Sequence, residues 1–369
     1  MLIRFEVGGF KAFKDPLILD LKARDYSFNP SLVRQGVVKN ALVYGPNGIG
    51  KSCLGFALFD LIEHLTDKKQ FRQEYLAEYQ NISLGPEDPI CFRYDFIFNG
   101  TVLVYKYRKN ELRELLFEQL EINGELCFKW DYFDASKCDT PALRKIGVQL
   151  DLPDNKLSIL KYVRRNVLTG TIPAIDQLMS FVDGMLWYRS LSEGNAYAGF
   201  TNGKATLDVA ICTAGKVEEF SKFLKDNGLV YSLSSGKIGN EDHLFVEDPG
   251  NHRKVPFLNI ASTGTVTLML FFYWAMVAFE KVSFLFIDEF DAFFHFQSAA
   301  AIIKRLNVSK FQVMLTSHNT YLMQNAFTRP DCCFLMSPGK IRNLPDCTDR
   351  EIREAHNLEK MYQHGVFSE

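Results

Sequence analysis

The chain has 369 residues, 47% hydrophobic and 23% charged, enough to bury a sizeable core in one large domain or two smaller ones. With 42 basic and 44 acidic residues the formal charge is −2, which excludes a globally basic nucleic-acid-binding surface and leaves only local patches. Its eight cysteines form no CxxC pair and no Cys–His cluster at zinc spacing, so they read as reduced thiols of a cytoplasmic protein.

The opening MLIRFEVGGFKAF alternates like a strand and carries charge early, unlike a signal peptide. Leu17–Leu21 alternates too. The apolar strand Asn40–Tyr44 then runs into a glycine-rich loop. Cys53–Leu65 reads as a helix, with Leu54, Leu58, Leu61, Ile62 and Leu65 on one stripe. Asn99-Gly100 and Asn123-Gly124 each sit between alternating runs. Both dipeptides tolerate the positive φ of a type I′ turn, so an antiparallel sheet is expected over 90–130. From about 140 to 230 the pattern becomes mainly helical, with Leu157–Val167, Ile175–Tyr188 and Val217–Leu229 as candidate helices. Asp248-Pro249-Gly250-Asn251 reads as a hairpin turn. The apolar run Val266–Phe279 is shorter than the roughly 20 residues a membrane span needs, and reads as a buried helix.

Four stretches carry chemistry. Gly45, Gly50, Lys51 and Ser52, with Asn47 and Gly48 between them, fit the phosphate loop G-x-x-x-x-G-K-[ST]. Glycines let backbone N–H groups turn towards phosphates at a helix N-terminus. Lys51 would reach the β/γ-phosphates of ATP, and Ser52 would ligate Mg²⁺. Phe284–Glu289 is an apolar run ending in acids, as a buried parallel strand does beside a ligand. Asp288 would hold Mg²⁺, and Glu289 would orient or deprotonate the attacking water. Phe311–His318 is a second such strand, whose His318 could hydrogen-bond the γ-phosphate. Ser262, Thr263 and Gly264 open the apolar helix, as an N-cap or as a second nucleotide contact. Lys161, Arg164, Arg165, Arg253 and Lys254 form the local basic stretches, read first as solvated faces.

Ser52 and Asp288 lie 288 − 52 = 236 positions apart, too far for one loop of a compact domain. The expected division is an N-terminal lobe over 1–140, a mainly helical insertion over 141–250 and a C-terminal lobe over 251–369. GPNGIGKS, STGT, FIDEFDAFFH and TSH together resemble an ABC-type ATPase head of the RecF/SMC/OLD group. The opening strands and HNLEKMYQHGVF are also similar to that group, although Gly9 stands where Asn is more usual. The nearest resemblance is to ATPase subunits of phage-defence and abortive-infection modules, such as Septu, PARIS and retron systems.

The resemblance implies an α/β fold: a mixed sheet flanked by helices, plus an antiparallel β lobe. It implies a head-to-head dimer or higher oligomer in which ATP is sandwiched between one P-loop and the partner's Ser262–Gly264. His318 would be the switch histidine, His295 would face the dimer interface and Gln80 is the candidate Q-loop residue. It also implies a separate effector, a nuclease or toxin, with no membrane partner. The alternative is a RecF-like ATPase that binds DNA directly.

Overall fold

Three parallel strands, Asn40–Tyr44, Gln312–Ser317 and Phe284–Asp288, lie side by side at the centre of the molecule, and every residue in them is buried. The computed structural model describes residues 1–68, 77–148, 150, 157–189, 197–198, 206–277, 280–292 and 296–367. Met185–Arg189 and Cys333–Ser337 extend the parallel block on either side. Tyr197–Ala198 and Lys340–Asn343 close its edges as antiparallel strands, giving a mixed sheet of seven.

Because successive strand residues face opposite ways, the sheet divides two cores. Ala41, Val43, Phe284, Phe286 and Met314 pack on one face, with the helix Lys51–Leu65 and the N-terminal lobe. Leu42, Tyr44, Leu285, Ile287, Val313 and Leu315 pack on the other, against the helices Thr263–Val277 and Phe296–Asn307. The apolar run therefore belongs to a core helix. Among the described residues, no helix is long and apolar enough to cross a membrane.

The N-terminal lobe is a six-stranded antiparallel sheet, which includes Ile90–Phe98, Thr101–Lys109, Leu115–Ile122 and Glu125–Asp131. Both Asn-Gly pairs form the expected turns: φ is +49° and +85° at Asn99 and Gly100, and +51° and +81° at Asn123 and Gly124.

The helix read over Ile175–Tyr188 is corrected. A helix spans Pro173–Asp183, and Met185–Arg189 is a strand parallel to Phe284–Asp288. Gly184 makes the switch, since a Cβ there would come within 2.7 Å of the Lys281 carbonyl oxygen. A buried strand and a buried helix are both continuously apolar, so periodicity cannot separate them. The range 141–250, read as mainly helical, contains the helices Leu207–Thr213 and Val217–Asp226 but also the strands Leu233–Ile238 and Glu241–Glu247, which form a three-stranded sheet with Lys254–Pro256 across the expected hairpin turn at Asp248–Asn251. This group leans on the apolar helix through aromatic contacts such as Phe220 with Phe272, 5.1 Å between ring centroids.

Two fully buried carboxylates tie the lobe together. Asp60, on the P-loop helix, accepts from Tyr107 Oη at 2.6 Å and from Lys109 Nζ at 2.8 Å, both from one strand of the antiparallel sheet. Glu118 accepts from Tyr105 Oη, Ser158 Oγ, Tyr132 Oη and the backbone N–H groups of Ile159 and Leu160, at 2.8 to 3.3 Å. It thereby caps the helix Ile159–Asn166 from a neighbouring strand. Burial pushes the Glu118 carboxyl above the usual glutamate range, against the pull of these donors. Glu118→Ala would take the acceptor from the Ser158 hydroxyl and the Ile159 and Leu160 N–H groups, while Tyr105 keeps His64 and Tyr132 keeps the Leu157 carbonyl. Chemical denaturation should show a loss of about 1–3 kcal/mol for each buried donor left unpaired.

Candidate functional site

The three central strands end at one level. Val43 pairs with Thr316 and Tyr44 with Ser317, while Ile287 pairs with Leu315. The loops that follow them therefore meet at the C-terminal edge of the sheet, where α/β folds hold ligands.

The P-loop leaves Tyr44 and enters the helix at Lys51, with Pro46, Asn47 and Gly48 exposed and Gly45 half-buried. Gly50 has φ +105°, and a Cβ there would come within 3.1 Å of the Phe13 ring, so this turn requires glycine. Lys51 is almost completely buried. Its ammonium donates to the carbonyl oxygens of Gly45 and Pro46, each at 2.8 Å, and lies 3.4 Å from His318 Nδ1. Burial holds it below the usual lysine value, against the attraction of Asp288 and Glu289.

Ser52 Oγ donates to Asp288 Oδ2 at 2.7 Å, closing the 236-residue gap. Asp288 is fully buried at its strand end. Glu289 follows in the left-handed region, φ +49°, and its Oε1 lies 3.9 Å from His318 Nε2. Lys51, Ser52, Asp288, Glu289 and His318 are thus drawn from three separate parts of the sequence into one cluster.

These residues suit a magnesium nucleotide. A serine hydroxyl and a carboxylate in contact form the hard oxygen pair that Mg²⁺ prefers, and an ammonium beside them suits phosphate oxygens. Other expected residues lie elsewhere. Ser262 is exposed at the start of the apolar helix, where its Oγ accepts the Thr265 N–H at 3.2 Å, an N-cap contact; Gly264 is half-buried in the first turn. Gln80 donates its side-chain amide to the carbonyls of Gly85 and Asp88. His295 lies outside the described residues.

Sequence reasoning missed the next shell of the cluster. Ser317 Oγ donates to Asp291 Oδ2 at 2.9 Å and accepts the Asn319 N–H at 2.8 Å, so Asp291 braces the turn that carries His318. Burial raises the Asp291 carboxyl, opposed by the Ser317 bond. The signal available was an acid three positions beyond Asp288 and a hydroxyl beside His318.

Residues 187–324 match the family described as "AAA domain, putative AbiEii toxin, Type IV TA system". That stretch contains the apolar helix, the strands Phe284–Asp288 and Gln312–Ser317, and His318, while the P-loop lies outside it. No curated protein matches the chain. Similar solved structures include the SMC head domain from Thermotoga maritima, 16% identical over 93% of this chain and 98% of that one, with a TM-score of 0.44. Another is the Smc head with an extended coiled coil bound to the C-terminal domain of ScpA from Pyrococcus furiosus, 14% identical over 98% of each chain, TM-score 0.45. A third is an SmcHead bound to the C-winged helix domain of ScpA, 13% identical over 98% of this chain and 99% of that one, TM-score 0.46. Residues 187–324 are thus similar to an AAA domain.

Lys51→Ala should abolish nucleotide binding. Hydrogen bonds to a charged group are worth about 1.5–3 kcal/mol each, so affinity should fall by about 100-fold or more. Titration with a fluorescent ATP analogue measures it, and unchanged affinity would show that the loop holds no phosphate.

Proposed function

We propose that the protein is an ABC-type Mg-ATPase whose ATP-sandwiched dimer, or higher oligomer, regulates a separate effector, a nuclease or toxin, in a bacterial phage-defence module. One observation carries the ATPase assignment: Lys51, Ser52, Asp288, Glu289 and His318 converge at the ends of three parallel strands. A bound magnesium nucleotide would supply a polarised γ-phosphate. Ser52 and Asp288 would hold the metal, and Lys51 would leave the loop carbonyls for the phosphate oxygens. Glu289, adjacent to the metal-side acid but pointing to His318, would take the proton of the attacking water. His318 would sense the phosphate from the next strand.

The dimer reading rests on Ser262, which is exposed at the start of the apolar helix, where its Oγ already accepts the Thr265 N–H. Such an arrangement would turn the presence of a γ-phosphate into a change of assembly, which a cytoplasmic effector could read. For the lobes, we propose that Met185–Arg189 belongs with the ATPase head although it lies inside the 141–250 range, and that the helices and sheet of 206–256 form the outer lobe. Direct DNA binding, the RecF-like alternative, is less well supported. Arg164 pairs with Asp183 at 2.6 Å, Lys161 with Asp67 at 2.9 Å, and Arg165 also with Asp67, so part of the charge of that basic stretch is offset within the chain.

Glu289→Gln should keep nucleotide binding while phosphate release falls by the roughly 10²–10⁴-fold typical of a lost general base. Wild-type turnover in this variant would remove Glu289 from the chemistry. In size-exclusion chromatography it should accumulate as an ATP-dependent dimer. Ser262→Arg should still bind ATP yet remain monomeric; dimerisation by this variant would rule out the trans contact.

A further inference from the structure

We infer that Thr316 is the positioning residue that sets both acids of the site, a role resting on the ATPase assignment above. Its side chain is fully buried on the strand next to the acidic one. Its hydroxyl makes two bonds with different partners. It donates to Asp288 Oδ1 at 2.7 Å and accepts the backbone N–H of Glu289 at 2.7 Å. The Thr316 carbonyl accepts the next N–H, from Phe290, at 3.1 Å.

These contacts divide the Asp288 carboxylate. One oxygen is committed to Thr316 and the other faces Ser52. The carboxylate plane is thereby fixed, with Oδ2 aimed at the nucleotide side. The bond to the Glu289 N–H acts on the backbone. Glu289 adopts φ +49°, a conformation a non-glycine residue holds only when its surroundings impose it. One hydroxyl therefore orients the metal-side acid and stabilises the turn that presents the water-side acid. Valine has the same shape but neither donates nor accepts. In Thr316→Val the Asp288 carboxylate would lose its bond at Oδ1 while keeping Ser52 at Oδ2, and the Glu289 N–H would lose the Thr316 hydroxyl.

The test uses the full chain, with Mg²⁺ titrated against a fixed concentration of a fluorescent ATP analogue, alongside phosphate release. Thr316→Val should raise the half-saturating Mg²⁺ concentration and lower turnover by about 10–100-fold, as outer-shell partners of a metal site do. Analogue affinity measured in EDTA should not change, since Lys51 and the P-loop are untouched. Thr316→Ser, which restores the hydroxyl, should recover both properties. Should the valine variant fail to fold, Thr316→Ser against Thr316→Ala isolates the hydroxyl in smaller side chains. A wild-type Mg²⁺ dependence in Thr316→Val or Thr316→Ala overturns the inference, and so does a serine variant no better than the one lacking the hydroxyl. Wild-type protein that binds no nucleotide with or without Mg²⁺ would instead remove the ATPase assignment itself, and the role of Thr316 with it.

Discussion

The parallel register of three strands is the constraint on which the rest of the site depends. Val43 faces Thr316 and Tyr44 faces Ser317, so the P-loop and the His318 turn start from the same height. On the acidic strand Ile287 stands against Leu315, which brings its last residue, Asp288, level with Thr316 and Val43. A shift of one residue in any strand would exchange the two core faces and turn Asp288 away from Ser52. Register here is held by burial on both sides: neither core tolerates the other's side chains, and the alternation of Phe284, Phe286 and Leu285, Ile287 enforces it.

The P-loop helix is fixed at its start and along its length by different means. At its start Ser52 bonds to Asp288, and Gly50 packs where only glycine fits against Phe13. Further along, Asp60 is held by Tyr107 and Lys109 in the antiparallel lobe. The phosphate loop is thus anchored to the central sheet through one carboxylate and to the lobe through another. Displacement of either partner must be felt by the helix between them.

Some of this was legible from residues close together in the chain. The strand, loop and helix from Asn40 to Leu65 could be read because each step is encoded locally, by an apolar run, by glycines and by a leucine stripe. The two Asn-Gly turns were legible for the same reason, since the dihedral requirement sits in the dipeptide itself. Met185–Arg189 was not. Its identity as a strand depends on Phe284–Asp288, about a hundred residues away, and its own apolar pattern suits a helix equally well. The Glu118 cap was hidden likewise, because its donors come from Tyr105, Tyr132 and Ser158, which no spacing rule connects. Within the site, the residues with distinctive chemistry stood out. Thr316 and Asp291 did not, because threonine and aspartate are common and their importance lies only in what they touch.

The 236-residue interval between Ser52 and Asp288 also has a consequence for the order in which the protein is made. At roughly 5–20 residues per second, the P-loop is synthesised about 12–50 s before the acid it will bond to. Throughout that time Asn40–Tyr44 has none of its parallel neighbours, since all of them follow Met185 in the chain. The antiparallel lobe, by contrast, has all six of its strands synthesised by Asp131, with Leu2–Gly8 pairing to Ile90–Phe98 across the P-loop segment. Synthesis therefore yields a folded lobe carrying an unpaired apolar strand, and a nascent chain at this stage is the form most in need of a chaperone.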